Sequence, residues 1–243
     1  RMPEALTFDK KLTQLAPKDD KLRYNLANTL KGLGRLDEAV ETFKQAIALN
    51  PNLTEAHNQL GITLVELGNY HEAEISYDNA IAVNAGSVEA HTNLGMLLQA
   101  LGRLDEAEAS FRQAISVSPN VPEVHNRLGT VLTGLGKHHE AESSFKKAIA
   151  IKQDYGEAHQ NLGDVLLVQG RLSEAETHCR HAITYNADLA EAHCALSIVL
   201  YGSGDIDAAI VSIEQAISIK PDFKTYSVIL RVLQKRSDHK DEP

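Results

Sequence analysis

Residues 89–95 read EAHTNLG, and close copies of this stretch return at a fixed interval along the chain. The copies are EAHNQLG at 55–61, EVHNRLG at 123–129, EAHQNLG at 157–163 and, less regularly, EAHCALS at 191–197. Each copy begins 34 residues after the one before it. The stretch is therefore part of a repeated unit, and a period of this size is typical of arrays built from one small structural element.

Rows of 34 residues that begin at Asp20 align without insertion or deletion; a column is a position counted within such a row. The six rows are 20–53, 54–87, 88–121, 122–155, 156–189 and 190–223. Column 15 is always glycine, column 20 is always alanine, and columns 27 and 28 are always Ala-Ile. Columns 4, 7, 8 and 11, and again 20, 24, 27 and 28, have the spacing of a helix face. Each row therefore predicts a helix–turn–helix hairpin whose turn glycine has a positive φ.

This pattern resembles the tetratricopeptide repeat, which has Leu-Gly, alanine, an aromatic residue and proline at fixed positions of a 34-residue unit. In the row 88–121 these are Leu94, Gly95, Ala107, Phe111 and Pro119. The resemblance implies an all-α fold, a right-handed superhelical α-solenoid. In this family the first helix of each repeat lines a concave groove, and the second helix forms the outer side.

The segments outside the six rows also have helical patterns. Residues 1–18 align with the second half of a row, which predicts the second helix of a truncated repeat and suggests a fragment of a longer array. Residues 224–236 predict a C-terminal capping helix, and 237–243 predict a tail. The residues expected to face the last repeat are Tyr226, Ile229, Leu230 and Leu233.

The composition limits the classes of partner. The chain has 243 residues, of which 43% are hydrophobic and 23% are charged, as is normal for a folded domain. A net charge of −9 argues against a nucleic-acid partner, which usually requires a basic patch. No apolar stretch approaches the roughly 20 residues of a membrane span, so we expect no membrane insertion. Two cysteines form no disulfide framework, which favours a reducing, cytoplasmic location.

Histidine recurs at column 4, which is the aromatic column of the family. The residues are His57, His91, His125, His159 and His193. Equivalent positions in packed helices lie on the order of 10 Å apart, so this row cannot share one metal ion. We therefore predict half-buried structural histidines.

A second group of candidate metal ligands lies close together in the sequence. The spacing of His178 and His181 resembles half of a metal site, but Cys179 between them falls at a column expected to be buried. We therefore expect no metal and no cofactor. The sequence also contains no glycine-rich phosphate loop, Gly-x-Ser-x-Gly elbow or His-Glu-x-x-His pair, which argues against an enzyme.

Polar side chains dominate columns 5, 6 and 9, which we expect to face the groove. Side-chain amides carry both donors and an acceptor, which suits the backbone of an extended peptide. Column 6 resembles the asparagine ladder of O-linked N-acetylglucosamine transferases, interrupted here at Arg127 and Ala195. A carboxylate clamp is disfavoured, since Glu123 stands where that clamp needs lysine. The candidate peptide-binding residues are Tyr24, Asn25, Asn28, Asn58, Gln59, Thr92, Asn93, Asn126, Arg127, Thr130, Gln160, Asn161 and Asp164.

These features predict a protein–protein interaction scaffold that binds an extended or partly helical segment of another protein. One alternative is a substrate-recruiting domain of a larger enzyme, such as a glycosyltransferase. Another is self-association through the truncated first repeat, whose apolar face includes Leu6, Leu12 and Leu15.

Overall fold

The structure, a computed structural model, describes the backbone of residues 2–238 and the side chains of residues 5–236. Over the described backbone the chain is helical and contains no strand, which confirms the all-α prediction. The helices are α1 (Met2–Leu15), α2 (Asp20–Gly32), α3 (Leu36–Leu49), α4 (Thr54–Glu66), α5 (Tyr70–Val83), α6 (Val88–Ala100), α7 (Leu104–Val117), α8 (Pro122–Gly134), α9 (His138–Ile151), α10 (Gly156–Val168), α11 (Leu172–Tyr185), α12 (Ala190–Gly202), α13 (Ile206–Ile219) and α14 (Lys224–Asp238).

The turn inside each hairpin depends on glycine. All six column 15 glycines have a positive φ, between 72° and 89°. At Gly102 the backbone N–H donates to the carbonyl of Gln99 at 3.0 Å, and the N–H of Arg103 donates to that of Leu98 at 2.9 Å. This is a Schellman motif, which satisfies the last carbonyls of the first helix. The predicted role of the turn glycine is confirmed.

A second glycine, at column 8, allows the two helices of a hairpin to approach closely. A Cβ atom on Gly95 would lie 2.9 Å from the ring of Phe111, which is fully buried. The ring of the second helix therefore packs directly against the backbone of the first. A side chain at this column would push the two helices apart.

The chain divides into two compact units, Arg1–Pro119 and Asn120–Pro243. In the first unit, α2 packs on α3, α4 on α5 and α6 on α7, and the first helices of successive hairpins also touch. The second unit repeats this arrangement, with α8 against α10 and α10 against α12. Hairpins within each unit therefore stack on their neighbours, as expected for a repeat protein.

Helix α14 covers the last hairpin of the second unit. Tyr226 and Leu233 are buried, and Ile229 and Leu230 are partly buried, against a core that includes Ile213. The predicted contact of these residues with the last repeat is confirmed. The predicted tail began at residue 237, whereas α14 includes residues 237 and 238; residues 239–243 lie outside the described residues.

None of the helices in the described part of the chain combines the length and the apolar character needed to cross a membrane. Cys179 and Cys194 are both free thiols.

Candidate functional site

The column 4 histidines hold the loop that precedes their own helix. The Nε2 atom of His57 lies 3.0 Å from the carbonyl oxygen of Pro51, six residues earlier in the chain. His91 makes the same contact with Ala85, at 3.0 Å. Because a carbonyl can only accept, Nε2 carries the proton and donates. Both rings are buried rather than half-buried as predicted, and their bonds to the preceding loop agree with a structural role; the sequence did not reveal the carbonyl partner.

Side-chain amides join successive first helices within each unit. In the first unit, Nδ2 of Asn93 donates to Oδ1 of Asn58 at 2.9 Å. In the second unit, Nδ2 of Asn161 donates to Oδ1 of Asn126 at 3.0 Å. Column 6 of one repeat therefore bonds to column 5 of the repeat before it. We call these two bonds the amide ladder.

The expectation that column 5 faces a groove is wrong for two residues. Asn58 is 2% exposed and Asn126 is 6% exposed, because their amides are enclosed between neighbouring first helices. They serve the contact between repeats and cannot meet a peptide without breaking it. The helical period identifies the face of a helix but does not reveal how closely the next helix approaches that face.

Several other predicted site residues have partners within the chain. The ring centroid of Tyr24 lies 5.9 Å from that of Phe43. Gln59 accepts a bond from Lys31 at 3.3 Å, and the hydroxyl of Thr92 donates to a carbonyl of its own helix. Of the predicted site residues, Asn25 and Thr130 are exposed, and the partly exposed ones are Tyr24, Asn28, Gln59, Thr92, Asn93, Arg127, Gln160, Asn161 and Asp164.

The amide ladder does not continue past the repeat 156–189. The next repeat has Ala195 at column 6, which carries no amide to reach Gln160 at column 5. Nε2 of Gln160 instead donates to Oδ2 of Asp164, one turn along the same helix, at 2.8 Å. A cavity of about 250 Å³ lies beside this pair. Its lining, drawn from α10, α12, α14 and the loop before α14, includes Gln160, Asp164, Glu191, Ala195, Ile198 and Phe223.

The cavity has a mainly apolar lining that carries two carboxyl groups, those of Asp164 and Glu191. Burial raises the pKa of the Asp164 carboxyl to about 6, and the nearby charge of Glu191 adds to this effect. The hydrogen bond from Gln160 opposes the rise. Glu191 is paired with Lys220, which lowers the pKa of Glu191. Burial also raises the pKa of the Cys194 thiol to about 11, so this group is a neutral thiol at pH 7.

Sequence reasoning identified only part of this cavity. Gln160 and Asp164 were among the predicted site residues, but Glu191, Ile198 and Phe223 were not. The useful signal was the departure of Ala195 from the column 6 pattern. Where the amide is missing, there is space beside the helix, and Gln160 bonds within its own helix instead.

A separate cluster of three histidines lies on α10 and α11. Nδ1 of His159 is 2.9 Å from Nδ1 of His178, and one ring nitrogen of each of His159, His178 and His181 lies within 4.8 Å of the others. Burial lowers the pKa of His178 to about 4, and it also lowers the pKa of His159. Sequence reasoning placed His159 with the column 4 row and considered His178 and His181 apart from it. It missed that columns 4, 23 and 26 meet in space.

Known structures share this architecture. A chain of the APC/C hetero-tetramer Cut9–Hcn1 is 16% identical with a TM-score of 0.74, covering 96% of this chain and 46% of that one. The present chain thus spans about half of that protein's length. PilF from Pseudomonas aeruginosa is 18% identical with a TM-score of 0.75, covering 89% of this chain and 97% of that one.

YrrB, described as a TPR protein with an unusual peptide-binding site, is 21% identical with a TM-score of 0.67, covering 81% of this chain and 99% of that one. These similarities show the α-solenoid fold of tetratricopeptide repeats. None of the curated proteins compared with the chain matches it in sequence. The family model of the cilia and flagella-associated protein 70 C-terminal domain matches residues 6–232. The chain therefore belongs to this family of tetratricopeptide-repeat domains.

Proposed function

We propose that this chain is a non-catalytic interaction module that binds an extended segment of another protein along its first helices. Proteins of the tetratricopeptide-repeat fold generally mediate protein–protein interactions. The observation that carries the proposal is the cavity beside Gln160 and Asp164, where the amide ladder stops.

The chemistry of the cavity indicates what would enter it. Its acidic groups, Asp164 and Glu191, accept hydrogen bonds, and its apolar side chains include Ile198 and Phe223. A lysine or arginine side chain combines a cationic end with an apolar stem and suits both surfaces. Small-molecule sites usually have volumes of roughly 300–1,000 Å³. The volume here, about 250 Å³, favours one side chain of a longer segment.

Within the second unit, other polar residues of the first helices extend this proposed contact. Exposed or partly exposed amides can donate to and accept from the backbone of an extended segment. In our proposal the polar residues of the second unit are Arg127, Thr130 and Asn161, and Asn25, Asn28, Gln59, Thr92 and Asn93 form a separate contact of the first unit. YrrB, whose fold is similar, is itself described as having a peptide-binding site.

The experiment is a selection of unstructured peptides from a display library against the full chain, followed by affinity measurement on purified variants. Ala195→Asn restores an amide at the point where the ladder stops and fills the cavity. Asp164→Asn removes the carboxylate and keeps the shape. Val211→Ser, at an exposed position on α13 outside the cavity lining, is the matched control.

We expect the selected peptides to share a lysine or arginine at one position. Their affinity should fall at least tenfold for Ala195→Asn and Asp164→Asn and stay unchanged for Val211→Ser. Peptides that bind Ala195→Asn as tightly as the wild type would contradict the proposed site.

Self-association is a second candidate, favoured by a specific observation at α1. Phe8 is 62% exposed and Leu15 is 81% exposed, which is high for large apolar side chains on one short helix. A second copy of the chain could cover them. Light scattering over a concentration series tests this, with Phe8→Ser/Leu15→Ser as the comparison; a monomer at every concentration argues against it.

A further inference from the structure

The repeat 156–189 has histidine at two columns where no other row has it. It has His178 at column 23 and His181 at column 26. The other rows have Thr42, Ser76, Ser110, Ser144 and Ser212 at column 23, and Gln45, Asn79, Gln113, Lys147 and Gln215 at column 26. The two histidines are therefore not required by the hairpin, since five other rows form the same fold without them.

The fold brings these columns next to column 4. In the first repeat, the column 4 residue is Arg23, and its Nη1 donates to Oε1 of Gln45 at column 26, at 2.7 Å. In the repeat 156–189, the same three columns hold His159, His178 and His181. The ring centroid of His159 lies 5.1 Å from that of His178 and 5.1 Å from that of His181.

The hydrogen bonds of His159 fix which of its nitrogens is available. Its Nε2 atom lies 3.1 Å from the carbonyl oxygen of Gln153, so Nε2 carries the proton and donates. Nδ1 of the neutral ring then carries the lone pair, and it accepts the hydrogen bond from Nδ1–H of His178 at 2.9 Å. Metal binding would replace this bond, with the proton of His178 moving to its other nitrogen or to solvent. Metal-bound histidines typically donate their other N–H to a carbonyl or carboxylate, as His159 does to Gln153.

We propose that His159, His178 and His181 together bind one divalent transition-metal ion, with Zn²⁺ as the fitting ion. Three imidazoles and one open position are a known ligand set for zinc. Zn–N bonds of about 2.0–2.1 Å in tetrahedral geometry place the nitrogens roughly 3.3 Å apart. The closest pair is already at 2.9 Å, and the nitrogens of all three lie within 4.8 Å. Small side-chain rotations are enough to form the site.

The surroundings of the cluster leave a path for the ion. His159 is buried, His178 is partly exposed and His181 is exposed, so the open position faces solvent. Lys146 is the nearby cation, and its Nζ atom bonds to Glu142 at 2.7 Å. Because His159 is on α10 and the other two are on α11, the ion would link both helices of one hairpin.

The test uses tag-free, EDTA-treated full-length chain, titrated with ZnCl₂ by calorimetry and with Co²⁺ by visible absorption. His178→Ser and His181→Gln introduce residues that the chain itself uses at these columns, so both should fold. Their circular dichroism without metal provides the check. His139→Gln removes an exposed histidine of α9 outside the cluster and is the control.

We expect one Zn²⁺ per chain and a visible Co²⁺ absorption spectrum typical of a four-coordinate ion. The affinity for Zn²⁺ should be at least tenfold lower in His178→Ser and in His181→Gln. His139→Gln should match the wild type. A wild type that binds Zn²⁺ no better than these two cluster variants would overturn the proposal.

A transplant makes the test stricter. Ser110→His/Gln113→His places the same pair beside His91, whose Nε2 is held by the carbonyl of Ala85 as His159 is held by that of Gln153. This variant should bind a second equivalent of Zn²⁺. A folded variant that binds only one equivalent of Zn²⁺ would contradict the proposed geometry of the site.

Discussion

The repeats 122–155 and 156–189 are consecutive hairpins of one unit, with helices of equal length and the same turn glycine, Gly136 in one and Gly170 in the other. They differ at columns 5 and 24. The first has Phe145 at column 24 and Asn126 in the amide ladder. The second has Cys179 at column 24, and Gln160 turns to Asp164 instead.

The histidine cluster is built within the repeat 156–189, and the cavity lies between this repeat, the repeat 190–223 and α14. The cavity forms where the ladder lacks its next amide, and the histidine cluster forms where small polar residues are replaced. The residues that the two repeats share stabilise the hairpin. The residues that differ are not needed for the fold and can form a binding site. Four measurements test whether these differences between the two repeats have the expected consequences.

The largest expected effect is at column 8. In Gly129→Ala, the new Cβ would lie 2.5 Å from the buried ring of Phe145. Because this large ring is buried, either it or the helix must shift, and the free energy of unfolding should fall by about 2 kcal/mol. In Gly163→Ala, the nearest atom is Sγ of Cys179 at 2.9 Å, the end of a small side chain. Higher helix propensity offsets part of that cost, so we expect a loss below about 1 kcal/mol. Urea unfolding measures both, and equal losses would contradict the difference between the repeats.

The amide ladder gives the next effect. Asn161→Ala leaves the buried Oδ1 of Asn126 without its donor, which should lower the free energy of unfolding by about 1–2 kcal/mol. Asn25→Ala, at an exposed position, should cost less than about 0.5 kcal/mol. Thermal unfolding of both variants measures the two losses. Equal losses would mean that the amide ladder stabilises the fold no more than an exposed asparagine does.

Asp164 should give the second repeat a pH dependence of its own. Burial raises its pKa to about 6, so between about pH 4 and pH 6 the folded chain keeps a proton that the unfolded chain releases. This group's contribution to the free energy of unfolding should therefore decrease as pH rises through that range. Asp164→Asn should remove this decrease and add about 1 kcal/mol at pH 7.5. Denaturation curves from pH 4 to pH 8 measure it, with Asp188→Asn, at an exposed position, as the control; an unchanged slope would contradict it.

The smallest effect is expected at an ion pair between the two repeats. Nη1 of Arg171 lies 2.8 Å from Glu142, and Lys146 also bonds that carboxylate. Because Arg171 is substantially exposed and Glu142 keeps Lys146, Arg171→Gln should cost less than about 0.5 kcal/mol. The loss should vanish in 1 M salt, where the Debye length is about 3 Å. A cost larger than that of Asn161→Ala would mean that the outer ion pair, and not the amide ladder, couples these repeats.

The sequence predicted the hairpins and their turns because each depends on local signals. A glycine every 34 residues at Gly102 and its equivalents was enough to place the turns. The burial of Asn58 could not be predicted, since it depends on how closely the next helix approaches. The contact between His159 and His178 could not be predicted either, because it depends on how the two helices of the hairpin pack against each other.

Contacts between helices remain short in range along the chain. Helix α10 packs against α8, α9, α11 and α12, each at most two helices away in chain order. Ligand binding in this repeat would therefore slow amide hydrogen exchange most strongly in α10 and progressively less in the hairpins on either side. Local unfolding should therefore involve groups of neighbouring hairpins and not the whole array. The amides of α10 can then exchange slowly while those of more distant hairpins still exchange rapidly.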